Sequence, residues 1–241
     1  MPTTAPEWFR FFDSEAEIAV TERRLPHWAQ AGTLCFLTWR TLDSIPEHVL
    51  STWRSDRASW LARHGIDPLG DSWHARFAAL APSDRLEFHR LFSGRWQAML
   101  DKCQGACVLR RPELARIVAS SLQHFDGERY TLTDFVVMPN HVHILAVFPD
   151  ETRMLAQCES WKHFTAGQIN KVIGRRGRFW QTDTFDHLVR SADQLDTLRS
   201  YVADNAFQAR LGGDDVPHFS RTLEGFGKTP ETVTREASDR L

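Results

Sequence analysis

Apolar residues along this chain follow two periods, and the change from one to the other separates strands from helices. Residues 32–40, 130–137 and 141–148 are runs rich in β-branched and aromatic residues, which predicts three strands. Only three residues separate the last two runs, so we expect these strands to pair as a hairpin. A fourth, shorter strand is predicted over 185–189.

Helical spacing of apolar residues covers most of the remaining chain. It predicts a helix over 111–125, with Pro112 near its start, and a longer helix over 151–172. A last helix is predicted over 191–211, where a capping-box pattern precedes the apolar stripe. Two more helices are expected between residues 45 and 105.

The order of these elements indicates a fold. Apart from residues 45–105, it is strand, helix, strand, strand, helix, strand, helix, which is the split βαβ plan with one helix appended. The predicted class is α+β: a ferredoxin-like, split βαβ antiparallel sheet with an appended C-terminal helix and a helical insertion at about 45–105. Residues 212–241 are polar without a periodic face and are interpreted as a tail.

Composition is that of a soluble globular protein. The 241 residues are 42% hydrophobic and 25% charged, with a formal net charge of -2. No run of eighteen apolar residues occurs, and the first twenty residues lack the apolar segment of a secretion signal, so neither membrane spanning nor secretion is expected. The four cysteines form no zinc-binding pattern and are interpreted as reduced thiols, which indicates a cytoplasmic protein.

Positive charge is concentrated in one segment. Residues 161–190 hold six basic and two acidic groups, a net +4, which leaves -6 for the remainder of the chain. A concentrated basic face suits a polyanion bound at one place, although an ordinary solvated surface is the alternative.

Two histidines lie on the second strand of the predicted hairpin. His141 and His143 are two residues apart, so their side chains project from the same face and can share one metal ion. The opposite parity is wholly apolar, and Leu145 and Val147 share the histidine face, so both faces are expected to be covered. Buried neutral imidazoles need partners. Two histidines on a solvated face are the alternative; a zinc hydrolase is the weaker interpretation, because no further ligand follows closely.

The last predicted helix carries a second set of polar groups. Tyr201 and Asn205, one turn apart, project along the flank of its apolar stripe. Asp204 competes with Asn205 as an oxygen ligand, and a tyrosine with its hydroxyl in water is the alternative to a chemical role.

These features together resemble a known family. The stretch MPNHVHIL starts at Met138, and Tyr201 precedes Asn205 by four residues on a later helix. The combination resembles the one-tyrosine HUH transposases, and within them the REP-associated tyrosine transposases. The matching stretches span 25–211, which is taken as the core of a single 1–241 domain. Further matches are LPHW at 25–28, FLTWR at 36–40, WKHFT at 161–165, FWQ at 179–181 and FDHLVR at 185–190.

The resemblance implies a function and a set of site residues. His141 and His143 would bind a divalent metal, Mg²⁺ or Mn²⁺, with Asn205 as the third protein ligand and Tyr201 as the nucleophile. Single-stranded DNA would be cut through a 5′-phosphotyrosyl intermediate and rejoined by another 3′-hydroxyl. The expected substrate is repeat DNA folded as a hairpin, so the protein would associate with the nucleoid when bound; monomer and homodimer both stay open.

The basic segment is expected to follow the DNA backbone, with one aromatic residue as a stacking platform for a base. The predicted DNA-binding residues are Lys162, Arg175, Arg176, Arg178, Trp180 and Arg190. Two other functions remain as alternatives: a repeat-binding protein that does not cut DNA, and the zinc hydrolase.

Overall fold

The structure is a computed structural model, and the chain divides into two units: Met1–Thr41 with Val108–Leu241, and Leu42–Cys107. The described residues are 10–13, 19–21, 27–67, 70, 73–182, 184–211, 213 and 215–222. Residues 25 and 26 of the LPHW stretch, and the tail beyond residue 222, therefore lie outside them. Among the described helices, none is both long and apolar enough to cross a membrane.

An antiparallel sheet organises the first unit. The described strands are β1 (Ala19–Thr21), β2 (His27–Ala29), β3 (Leu34–Arg40), β4 (Thr131–Val137), β5 (His141–Val147), β6 (Phe185–Leu188) and β7 (His218–Ser220). The five-stranded sheet has the order β6-β3-β5-β4-β7, and all its neighbouring strands run antiparallel. The predicted α+β class, the four predicted strands and the hairpin are confirmed.

The apolar periodicity does not predict three short strands, β1, β2 and β7. β1 and β2 pair with each other in a separate ribbon, and β7 adds to the edge of the sheet beside β4. Residues 212–241, interpreted from sequence as a polar tail, thus include the strand β7. A strand of three residues is too short to display alternation. β7 pairs with β4 through the backbone, and the Ser220 hydroxyl also donates to the Asp134 carboxylate at 2.6 Å.

Four long helices among the described residues lie where the apolar spacing predicts helices. Several shorter helical segments accompany them. The described helices are α1 (Glu47–Arg63), α2 (Trp73–Ala78), α3 (Pro82–Phe88), α4 (Arg95–Asp101), α5 (Pro112–Gln123), α6 (Glu151–Ile173) and α7 (Ala192–Leu211), with a π-helical segment at His89–Gly94 and a 3₁₀ turn at Val108–Arg110. The long helices are α1, α5, α6 and α7. The π segment joins α3 to α4, so the second helix expected before residue 105 is one continuous helical run. The short α2 is not predicted.

The second unit is built from helices around aromatic residues. Trp60, Phe88 and Phe92 are buried together, and Trp53 packs against them. The indole nitrogen of Trp60 donates a hydrogen bond to the Glu87 carboxylate at 3.2 Å.

In the first unit, α5 and α6 cover one face of the sheet. Trp39 of β3 stacks on Trp161 of α6, with ring centroids 5.7 Å apart, and Ile144 of β5 lies in the same buried cluster. The indole nitrogen of Trp161 donates to the backbone oxygen of Ser121 in α5 at 3.1 Å, which ties the two helices together.

The opposite face of the sheet carries the histidines and receives α7. Antiparallel register places His143 beside Thr38 of β3 and Val136 of β4. A bulge between Leu132 and Asp134 shifts the parity of β4, so that Asp134 also lies on the histidine face. Buried residues of α7 cover this face: Leu195, Val202, Asn205, Ala206 and Ala209.

Candidate active site

His141 and His143 lie at the start of β5 beneath the helix that carries Tyr201. Both side chains are 0% exposed, so the expectation of a covered face is confirmed. Their rings meet edge to face, with centroids 4.6 Å apart. Strand alternation alone sets this pairing, because successive residues of a strand point to opposite faces.

Each imidazole has its Nδ1 atom in a short hydrogen bond. The Nδ1 atom of His141 lies 2.7 Å from the amide oxygen Oδ1 of Asn140. The Nδ1 atom of His143 lies 2.8 Å from the hydroxyl oxygen of Thr38 on the neighbouring strand. The Nε2 atoms of both rings are thereby left for other partners.

The two Nε2 atoms differ in what they meet. The Nε2 atom of His141 is buried and, among the described residues, has no hydrogen-bond partner. The Nε2 atom of His143 lies 3.3 Å from the hydroxyl of Tyr201. Two neighbouring imidazole Nε2 atoms, one buried without a partner in the described part of the chain and one in contact with a phenol hydroxyl, form a donor set that suits a metal ion.

Burial keeps both histidines neutral. It lowers the pKa of His141 from 6.5 to about 3. The pKa of His143 is lowered well below its usual value, first by burial and then by the neighbouring His141. Metal ions bind the unprotonated ring, so at neutral pH no proton has to leave before an ion can bind.

Tyr201 is positioned by aromatic packing as well as by its hydroxyl. Its ring lies 5.1 Å from that of His143 and meets Phe36 edge-on at 6.2 Å. Phe36 in turn stacks on His143, with centroids 5.4 Å apart and an interplanar angle of 16°. Phe36 therefore supports both rings, a role for which the sequence gives no signal beyond strand parity.

Asn205 lies one turn after Tyr201 and is 8% exposed. Its amide nitrogen donates to the backbone oxygen of Tyr201 at 3.0 Å, which leaves the amide oxygen as the atom able to bind a cation. Asp204 is exposed, so burial favours Asn205 over Asp204 as an oxygen ligand beneath the helix.

A polar network that the sequence does not reveal anchors α7 to the sheet. Arg199 lies on α7 two residues before Tyr201, and its Nε atom is 3.1 Å from the buried carboxylate of Asp134. Arg199 also donates to the Ser220 hydroxyl at 2.9 Å and to the backbone oxygen of Arg221 at 2.7 Å. Ser220 donates to the same Asp134 carboxylate at 2.6 Å. The network joins α7, β4 and β7 near the tyrosine.

Ser191 and Gln194 cap the beginning of α7, but the Gln194 side chain accepts from the residue before the N-cap and not from Ser191 as in a full capping box. The backbone nitrogen of Gln194 donates to the Ser191 hydroxyl at 3.2 Å, and the Gln194 side chain accepts from the backbone nitrogen of Arg190 at 2.8 Å. The same side chain reaches His187 of β6 at 2.6 Å.

The predicted DNA-binding residues occupy different environments. Arg175, Arg176 and Arg178 are exposed in the loop after α6, here called the arginine loop. Arg190 is also exposed, with its guanidinium 5.6 Å from the Phe12 ring. The ammonium group of Lys162 instead bonds within the protein, to the backbone oxygen of Thr182 at 2.7 Å and the Thr184 hydroxyl at 3.0 Å.

Trp180, expected from the sequence to be a stacking platform for a base, is buried. It is 3% exposed, its indole nitrogen donates to the Thr165 hydroxyl at 2.8 Å, and it meets Trp39 edge-on at 6.3 Å. A ring enclosed in this way has no free face for a base. In this structure Trp180 is therefore a core residue, and its assignment as a stacking platform is wrong.

Comparison with known proteins gives one distant likeness. No family model matches the chain, and no curated protein matches it. Among solved structures, the chain is similar to a REP-associated tyrosine transposase bound to a REP hairpin, with 11% sequence identity and a TM-score of 0.36. The match covers 78% of this chain and 73% of the other.

Proposed function

We propose that this protein is a metal-dependent enzyme that nicks and joins single-stranded DNA through a covalent bond to Tyr201. The observation that carries the proposal is the 3.3 Å approach of the Tyr201 hydroxyl to Nε2 of His143. The two residues are 58 positions apart and belong to a helix and a strand, so their meeting is a product of the fold.

A divalent metal fits the side chains gathered at this place. His141 and His143 offer neutral imidazole nitrogens, and Nε2 of His141 is a buried nitrogen without a partner among the described residues. His141, His143 and Asn205 would hold the ion. Imidazole suits Mn²⁺ better than Mg²⁺, so Mn²⁺ is the ion with which we expect the higher affinity.

The strand order supports the ferredoxin-like assignment. Strands β6, β3, β5 and β4 are neighbours in that order, and α5 and α6 connect them along the chain. This is the arrangement of the split βαβ plan, to which α7 adds the tyrosine and residues 42–107 add a helical insertion. In this plan the proposed nucleophile would lie on one face of the sheet, and the other face would pack in the core.

The chemistry requires activation of a weak nucleophile. A phenol with a pKa of about 10 is mostly protonated at neutral pH. A bound divalent ion would supply positive charge to the phosphate and favour the phenolate. Tyr201 attacks the phosphorus: its Oη–P bond forms and the P–O3′ bond breaks. The proton lost by the phenol is balanced by the proton that the leaving 3′-hydroxyl gains. Attack of a 3′-hydroxyl on the phosphotyrosyl bond reverses the step and rejoins a strand without a nucleotide cofactor.

The DNA backbone would lie along the arginine loop. Its three guanidinium groups are exposed, and the loop leads directly to Gln181, whose backbone nitrogen donates to the oxygen of Arg40 at 2.9 Å. Arg40 is the cross-strand neighbour of His141, so the loop returns to the sheet at the histidine end of β5. Hairpin-forming repeats are the proposed substrate class, on the basis of the sequence resemblance.

The test is incubation of the protein with hairpin oligonucleotides and Mn²⁺, followed by denaturing electrophoresis. We expect a protein–DNA band that survives SDS, lost in Tyr201→Phe and retained in Tyr130→Phe. Tyr130 is a matched control because its hydroxyl donates to the backbone oxygen of Leu122 at 2.7 Å, away from the histidines. Binding without an adduct would instead favour a protein that binds repeats, and hydrolysis that persists in Tyr201→Phe with bound Zn²⁺ would favour a hydrolase.

A further inference from the structure

The position of the proton on each buried imidazole decides which of its nitrogens can bind a metal ion. A neutral imidazole carries a proton on one nitrogen and a lone pair on the other, and a metal binds only at the lone pair. The hydrogen bond made by the second nitrogen therefore determines whether a histidine is ready to bind an ion.

For His141 the partner is a carbonyl oxygen. The Oδ1 atom of Asn140, at 2.7 Å from Nδ1, can only accept, which requires a proton on Nδ1 and leaves the lone pair on Nε2. If the Asn140 amide were turned over, its nitrogen would donate to Nδ1 and the proton would move to Nε2. Nε2 would then be a buried donor without an acceptor among the described residues, an arrangement that buried groups avoid.

For His143 the two contacts agree with the same assignment. The Tyr201 hydroxyl, 3.3 Å from Nε2, can donate to a lone pair there, as a phenol readily does. Nδ1 then carries the proton and donates to the Thr38 hydroxyl at 2.8 Å. Thr38 is buried and is the cross-strand neighbour of His143, so the sheet itself holds the acceptor in place.

We propose that Thr38 and Asn140 are positioning residues that hold both histidines in the Nδ1-protonated tautomer, with both Nε2 lone pairs directed to a shared metal ion. The inference rests on the proposed function for the metal, but the tautomers themselves exist without it. Two acceptors of different chemistry, one from the neighbouring strand and one from the residue before His141, perform the same task.

The test measures Mn²⁺ binding by calorimetry without DNA, together with nitrogen NMR of the histidine rings in the metal-free protein. Thr38→Val and Asn140→Leu should each weaken Mn²⁺ binding by about 10- to 100-fold. Thr38→Ser keeps an acceptor and should retain the wild-type affinity to within a few-fold. The spectra should show Nδ1 protonated in wild type and a mixture of tautomers in the two variants without an acceptor.

Thr133→Val is the matched control. Thr133 is buried in the same sheet, and its hydroxyl donates to the backbone oxygen of Leu145 at 3.1 Å, so the variant loses a buried hydrogen bond that touches no histidine. If Thr38→Val and Thr133→Val weaken Mn²⁺ binding equally, or if wild type shows Nε2 protonated, the inference is wrong. If wild type binds no Mn²⁺ but shows the expected tautomers, the metal-dependent function fails while the tautomer assignment stands.

Discussion

Replacement of Tyr201 by Phe should strengthen metal binding while it abolishes cleavage. The Tyr201 hydroxyl lies 3.3 Å from Nε2 of His143, and the other ring nitrogen is already bonded to Thr38. A metal ion and the hydroxyl therefore compete for the same lone pair. Tyr201→Phe removes the competitor and leaves the ring in place.

The expected size of the effect follows from the hydrogen bond that must break. A typical intramolecular hydrogen bond contributes about 0.5–1.5 kcal/mol net, which corresponds to a factor of about 2–10 in affinity. Calorimetric titration with Mn²⁺ in the absence of DNA measures it, with Tyr130→Phe as the matched control that should bind as wild type does.

Weaker Mn²⁺ binding by Tyr201→Phe would contradict this competition between the hydroxyl and the ion. If the phenolic oxygen is itself a ligand of the ion, Tyr201→Phe should bind Mn²⁺ more weakly than wild type. Such a decrease, in a variant with unchanged thermal stability, would refute the idea that hydroxyl and metal exclude one another at His143.

Three further predictions concern the surroundings of the site. Arg199→Gln leaves the buried Asp134 carboxylate without its ion pair and should lower the free energy of unfolding by about 3 kcal/mol in urea titrations. Arg153→Gln, which breaks an exposed ion pair, should lower it by less than about 1 kcal/mol. Equal losses in the two variants would contradict the anchoring role of Arg199. Trp180→Ala should cost about 3–5 kcal/mol of stability, and an intact fold with weakened DNA binding would restore the stacking role instead. Replacement of all three basic residues of the arginine loop with Gln should reduce the slope of log DNA affinity against log salt concentration by about 2, because each phosphate contact on a single strand contributes about 0.7. An unchanged slope would mean that the loop does not contact the DNA backbone.

The local features of the site could be predicted from sequence because they depend on short-range geometry. Alternation along β5 places His141 and His143 on one face, and helical spacing places Tyr201 and Asn205 one turn apart. The three-residue connection between β4 and β5 likewise determines an antiparallel hairpin.

The contacts between elements could not be predicted, because nothing in the spacing of residues reports them. The Arg199 and Asp134 pair joins positions 65 apart and depends on a bulge in β4 that reverses the parity after Leu132. Phe36 follows ordinary strand composition, and its support of both rings appears only when β3 and α7 are placed together.

Trp180 illustrates a different limit. A tryptophan beside an arginine-rich loop is compatible with both a base-stacking surface and a packed core, and the sequence alone gives no burial. The hydrogen bond from its indole nitrogen to Thr165 of α6 decides between them. A basic segment in the sequence therefore does not tell whether a neighbouring aromatic residue is exposed or buried.

Covalent attachment of DNA to Tyr201 can be examined by identifying the atom that carries the nucleotide. The protein is incubated with a hairpin oligonucleotide and Mn²⁺, digested with protease, and its peptides are analysed by mass spectrometry. We expect a nucleotide linked through its 5′-phosphate to the peptide that contains Tyr201. Strand cleavage with the nucleotide on another residue, or with no covalent peptide at all, would contradict this expectation.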